Sequence, residues 1–179
     1  MKYAAFLRGI NVGGKNLLPM KDLAKMFEAA GCTDVRTYIQ SGNVVFTAND
    51  AVAGAIGPEI SRRIEKKFGL RVPVVVRSVK EMKKVAASHP HVKKGVDLRW
   101  VHVCFLLDKP DAKLIAVLDP ERSPGDEFVV IGSEIYMHLP NGAGKSKLTN
   151  AYFDSKLKTV STARNWNTVC TVLAMMEED

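Results

Sequence analysis

The sequence predicts an α+β fold of two consecutive halves, each an antiparallel sheet layered with helices. Three observations carry that expectation. Short apolar runs alternate with stretches of helical periodicity, two strand pairs meet at Ser41-Gly42 and Gly132-Ser133, and the order of elements in residues 1–96 begins again in residues 97–179.

Residues 2–7 form a short apolar run ending at Arg8-Gly9, a strand delivered into a glycine-rich loop. Met20, Leu23, Ala24, Met26, Phe27 and Ala30 then recur at helical spacing, and Gly31 is a natural stop. Val35, Thr37 and Ile39 alternate with Arg36, Tyr38 and Gln40. Residues 43–47 follow Ser41-Gly42, so a hairpin with a two-residue turn is expected. A helix over residues 51–68 closes at Gly69, and residues 72–76 make a strand. The first half therefore reads β-α-β-β-α-β, the ferredoxin-like order. A short basic helix over residues 79–88, stopped near Pro90, and a basic linker over residues 91–95 follow.

The second half opens with residues 100–107, a nearly continuous apolar run of the kind buried on both faces. A helical stretch over 111–118, a hairpin of 127–131 with 134–139, a loop over 140–147 and helices near 148–158 and 164–176 complete it. That is β-α-β-β-α, the same order with the last strand replaced by helix. The expectation is thus two ferredoxin-like halves, 1–96 and 97–179, the second ending in C-terminal helices. The repetition is one of element order, with no repeat of residues.

Of 179 residues, 46% are hydrophobic and 25% charged, which supports a folded core. No apolar run approaches the roughly 18 residues of a membrane span, so no membrane partner is expected. Arg8 interrupts the N-terminal apolar stretch too early for a signal-peptide core. Cys32, Cys104 and Cys170 are odd in number and far apart, the pattern of reduced thiols in a cytoplasmic protein. Residues 1–96 hold 17 basic and 7 acidic side chains, a net of +10, and residues 97–179 hold 9 and 12, a net of −3. A basic first half suits a polyanionic partner, although a solvated surface with chance asymmetry accounts for it equally well.

Four segments could carry chemistry. In the loop over residues 8–16, Gly13 and Gly14 allow backbone N–H groups to converge on an anion, with Arg8 and Lys15 adding charge and Asn11 and Asn16 adding amides. The glycine spacing is not that of a dinucleotide fingerprint, and a plain turn would also need glycine. Asn141 to Ser146 ends like a phosphate-binding P-loop, but the glycine expected five residues before Gly144 is Leu139 and the loop leaves a hairpin. A nucleoside-triphosphatase is therefore excluded, while Lys145 and Ser146 could still face a phosphate or simply connect two elements. Arg36, Tyr38 and Gln40 point away from Val35 and Ile39, onto a sheet face that RNA-recognition domains use for stacking, with Ser41 and Asn43 at the adjoining turn. Only Phe46 answers to the aromatic motif of those domains, so hairpin packing explains the alternation more simply. Finally, Thr162 reads as an N-cap, which puts Arg164 and Asn165 at a helix start beside a possible anion and Trp166 in the core.

No catalytic constellation stands out. His89, His91, His102 and His138 lack zinc spacing, there is no nucleophile elbow, no histidine is placed to activate Cys32, and no cofactor or metal is expected.

Residues 7–16 (LRGINVGGKN), 37–46 (TYIQSGNVVF), 139–149 (LPNGAGKSKLT) and 162–169 (TARNWNTV), in that order, resemble domain-of-unknown-function family 1697. The resemblance spans essentially the whole chain and implies a small bacterial-type α+β protein with ferredoxin-like organisation. It also implies that Arg8, Asn11, Gly13, Gly14, Lys15, Asn16, Gln40, Ser41, Gly42 and Asn43, with Arg164, Asn165 and Trp166, belong to the family's motifs. It brings no activity with it. Two function classes follow from the residues. One is a non-catalytic binder of nucleic acid or another phosphate-bearing ligand. The other is an enzyme on a small phosphorylated or anionic metabolite clamped by the two glycine loops.

Overall fold

The structure, a computed structural model, describes residues 1–178. Two compact units form, one from Met1–Lys83 with the stretch from Val172 onward, the other from Lys84–Thr171.

The first unit contains β1 (Lys2–Leu7), α1 (Met20–Ala29), β2 (Thr33–Tyr38), β3 (Asn43–Thr47), α2 (Asp50–Phe68) and β4 (Val74–Ser78). Its antiparallel sheet has the order β2-β3-β1-β4, the ferredoxin-like arrangement expected from the sequence. Tyr3, Ala5 and Leu7 face α1 and α2 and join Leu23, Phe27, Phe46, Ile56, Ile60 and Ile64 in one core. α2 is set by Asn49, whose side chain accepts from Val52 N–H, and by Gly69 in the left-handed conformation at its end. The opposite face of the sheet is not open. Ala4, Phe6, Val45 and Val75 on that face are as buried as the helix side, so it is no exposed stacking platform. Arg36 and Tyr38 on it are half-buried, and the Arg36 guanidinium donates to the Glu178 carboxylate and to Met175 O. Tyr38 pairs with Asn43, so four residues, not two, make the β2–β3 turn.

Residues 79–100 supply α3 (Val79–Ser88), α4 (Pro90–Lys93) and a turn of 3₁₀ helix at Leu98–Trp100. The second unit continues with β5 (Val101–Leu106), α5 (Ala112–Ile115), β6 (Glu127–Ile131), β7 (Glu134–His138), α6 (Asn150–Leu157) and β8 (Ser161–Asn165), followed by α7 (Trp166–Glu177). The sheet order is β6-β7-β5-β8, the same as in the first unit. The expected replacement of the last strand by helix is therefore corrected. Ser161–Asn165 pairs antiparallel with β5, and α7 begins only at Trp166. Thr162 is a strand residue, and Asn165 caps α7, its Oδ1 accepting from Thr168 N–H at 2.8 Å.

The repeat also extends to residues. Leu7 N–H donates to Gly42 O at 2.8 Å, and Leu106 N–H donates to Ser133 O at 2.9 Å. Arg8 N–H reaches Pro73 O and Leu107 N–H reaches Val160 O. Arg77 pairs with Ala4 and Arg164 with Val103, and both arginines are buried. Each donates from Nη1 to the carbonyl of its preceding residue, at 2.9 Å for Arg77 and 2.8 Å for Arg164. Each also precedes a helix cap, Ser78 or Asn165.

His89 is fully buried in the second unit, with Nε2 3.0 Å from His102 O and its ring edge-on to Tyr136 and Trp166. Burial pushes its pKa down from 6.5 to about 4, and it pushes His91 and His102 in the same direction. The unfolded chain therefore takes up protons that the native protein refuses. Stability should be flat above pH 6.5 and fall as the pH drops toward 4. The His89 contribution is about 2–3 kcal/mol across that window. Urea unfolding at stepped pH checks this, and His89→Phe should show a shallower slope.

Candidate functional site

The end of the first sheet where β1 and β2 finish and β3 and β4 begin carries the first and third of the polar segments. The bonds from Leu7 to Gly42 and from Arg8 to Pro73 fix the departure of the chain from β1 between its two neighbours. Val12 to Lys15 then make a small hairpin, with Lys15 N–H donating to Val12 O at 2.9 Å and Asn11 N–H to Asn16 O at 3.0 Å. Its two central residues, Gly13 and Gly14, have φ of 55° and 73°. Two successive positive φ angles mark a type I′ turn, which glycine adopts without a Cβ penalty. The glycine pair thus has a structural reason, and the N–H groups of Asn11 and Lys15 are already occupied.

Asn11 holds this end together. Its Nδ2 donates to Leu18 O at 3.0 Å and to Gln40 O at 2.8 Å, and its Oδ1 accepts from Leu18 N–H at 2.8 Å. One side chain thereby ties the hairpin, the approach to α1 and the β2–β3 turn. Asn16 donates to Gly9 O at 2.8 Å. Asn43, fully buried, donates to Tyr38 O and to Ser41 Oγ, both at 3.0 Å. Gly42 has φ of 82°, and a Cβ there would stand 2.7 Å from Leu7 Cβ. The asparagine amides expected to face a ligand are thus bonded to the protein's own backbone and turn. Gln40 is exposed in the turn, and Ser41 is half-buried.

Cations supply the outward chemistry. Lys15 is exposed on the hairpin. α1 starts and α2 ends at this same end of the sheet, as the 3.3 Å ion pair of Lys67 with Asp22 requires. Exposed Lys21, Lys66, Lys67 and Arg71 therefore join Arg8 and Lys15 there. Two carboxylates lie among them, Asp22 against Lys67 and Glu65 at 3.3 Å from Arg71. Sequence reasoning missed these four cations. The signal was available, because in a split β-α-β unit the end of α2 returns to the start of β4, beside the exit of β1. Also missed were exposed Val12, Leu17 and Ile39 around Asn11. Ile39 is β-branched at φ of 47°, a conformation such residues rarely adopt.

The other two segments lie in the second unit. Lys145 is exposed with its N–H donated to Gly142 O at 3.1 Å, and Ser146 is buried with its Oγ accepting from Leu148 N–H. Arg164 is buried in β8, donating to Thr162 Oγ1 at 2.8 Å, and burial pushes its guanidinium down to about 10. It lies in a strand, not at a helix start, and the helix cap beside it is made by Asn165 itself. Among the described residues no group of three or more His, Cys, Asp or Glu side chains is gathered to hold a metal.

The profile of a family described as protein of unknown function (DUF1697) matches residues 1–136. The chain belongs to the DUF1697 family. The match takes in the hairpin and the β2–β3 turn, while Lys145, Ser146, Arg164 and Asn165 lie beyond it. No curated protein matches the chain. Among solved structures, a conserved bacterial protein from Streptococcus pneumoniae is similar over 98% of each chain, with a TM-score of 0.73 and 22% identity. At that identity the likeness is one of fold.

These contacts separate scaffold from surface. Asn11→Ala removes three hydrogen bonds and should cost about 2–3 kcal/mol in urea unfolding. Gly42→Ala should cost at least about 2 kcal/mol, from positive φ and the clash with Leu7 together. Lys15→Ala should stay within about 0.5 kcal/mol of the parent. Equal losses for all three variants would contradict the separation.

Proposed function

We propose that this DUF1697 protein is a non-catalytic binder of a phosphate-bearing polymer, nucleic acid foremost, engaged at the loop end of its first unit. The observation that supports this most is the gathering of exposed Lys15, Lys21, Lys66, Lys67 and Arg71 at one end of the sheet, interspersed with Asp22 and Glu65. Lysines strewn over an exposed rim attract a phosphate backbone by charge and counterion release, without the fixed donors that a single small phosphate needs. Lys66 and Lys67 also suit the C-terminal end of α2, so part of their placement is explained by the helix itself.

The metabolite-enzyme reading asks the glycine loops to present free amides to one phosphate. Bonds within both loops occupy several of those amides, which favours the polymer reading. Buried Cys32, whose thiol burial raises to about 11, and buried Cys104 are joined in no disulfide, which suits a reducing cytoplasm where nucleic acids are available.

Fluorescence anisotropy with labelled single-stranded RNA and DNA, titrated across salt, tests the proposal. Binding should weaken steeply with salt. The triple variant Lys15→Ala, Lys21→Ala, Lys66→Ala should lower the logarithmic salt slope by about 2. Absence of binding at low salt, or a triple variant as tight as the parent, would overturn it.

A further inference from the structure

β2, β4, β6 and β8 are the edge strands of the two sheets, and all but β6 carry features that discourage further pairing. β2 has a register shift between Thr33 and Arg36, with Asp34 at φ of 49° and the Arg36 guanidinium engaged. β4 and β8 are largely buried, and each holds a buried arginine. β6, with the sequence EFVVI, keeps an unbroken register with β7 and contains no proline, lysine, glycine or bulge. Phe128 and Val130 pack against the core of the second unit, while Val129 and Ile131 on the other face are 39% and 40% exposed. The two-residue turn at Gly132-Ser133 makes Ile131 and Glu134 a hydrogen-bonded pair, and bonded pairs recur at every second residue. Val129 and Glu127 therefore also bond to β7, and Phe128 and Val130 turn their N–H and C=O groups outward. Among the described residues no backbone bond from another segment reaches those groups.

We propose that β6 is a dimerisation edge, pairing antiparallel with β6 of a second copy of this chain. A second copy is the occupant that the strand's own sequence fits. About a two-fold axis at Val129 the whole strand pairs with itself, and Phe128 stands opposite Val130 of the copy, where their outward N–H and C=O groups satisfy each other. On the exposed face Val129 meets Val129 of the copy. Each Ile131 lies opposite Glu127 of the copy, so the strand's single charge never faces its like. The apolar surface of Val129 and Ile131 is covered and the free edge disappears. A strand of five residues buries less than the roughly 1,200–2,000 Å² of a stable complex, so the dimer dissociates on dilution.

Sedimentation velocity of the full chain over a concentration series tests this, and a concentration-dependent shift from monomer to dimer is expected. Val129→Lys sets two ammonium groups against each other on the axis and should weaken dimerisation at least about tenfold. Ile131→Lys meets Glu127 of the copy instead and should stay within about threefold of the parent. Both substitutions are on partly exposed side chains, and an unchanged Tm verifies that each variant is folded. A second measurement reads the register directly, in a Cys170→Ser background because Cys170 is exposed. Val129→Cys brings two Cα atoms about 4.5 Å apart, within reach of a disulfide, and should give a covalent dimer on oxidation. Ile131→Cys leaves its two copies about 14 Å apart along the paired strands and should not. A chain that stays monomeric at the highest concentration overturns the proposal. So do two lysine variants with equal effects, or cysteine variants that cross-link alike.

Discussion

β1 and β5 are each hydrogen-bonded along both edges and buried on both faces, and the rest of the architecture follows from that double confinement. A strand with no free edge and no wet face has room only for apolar side chains, hence Ala4 to Leu7 in one half and Val103 to Leu106 in the other. Polar residues are expelled to where the strand ends. There the backbone must turn at once, and the same bonds recur in both halves, Leu7 to Gly42 and Leu106 to Ser133. The motif residues of the first half cluster at that exit because it is where the central strand first meets water.

Much of this was legible in the sequence. Period-2 and period-3.6 patterns placed nearly every element, and the β-α-β-β-α-β order gave the sheet topology. β8 escaped because Ser161, Thr162 and Arg164 look like a polar linker. Their burial is tolerated through local bonds such as Arg164 to Thr162 and Ala163, which composition does not reveal. Apolar spacing from Trp166 onward then drew the expected helix start two residues too early. The glycine loop was misjudged for a related reason. Glycine at positive φ serves an anion nest or a type I′ turn alike, and only the Asn11–Asn16 and Val12–Lys15 pairing distinguishes them.

The two units also divide the electrostatics. The first gathers lysines from separate elements onto one rim, where each is solvated and their joint field extends outward. The second buries His89, His91 and Asp126, where dielectric screening is weaker and single contacts matter more.

The first unit takes in the stretch from Val172, with Arg36 of β2 donating to Met175 O and to Glu178, and Lys83 3.0 Å from Glu177. On the ribosome this unit is begun first and completed last. Its sheet can assemble as soon as β4 emerges, yet its edge strand awaits residues that are translated only after the whole second unit. Chains that stall or are clipped before Val172 would leave Arg36, on the edge strand β2, without these partners. Completion of translation is thereby built into the folding of the N-terminal half.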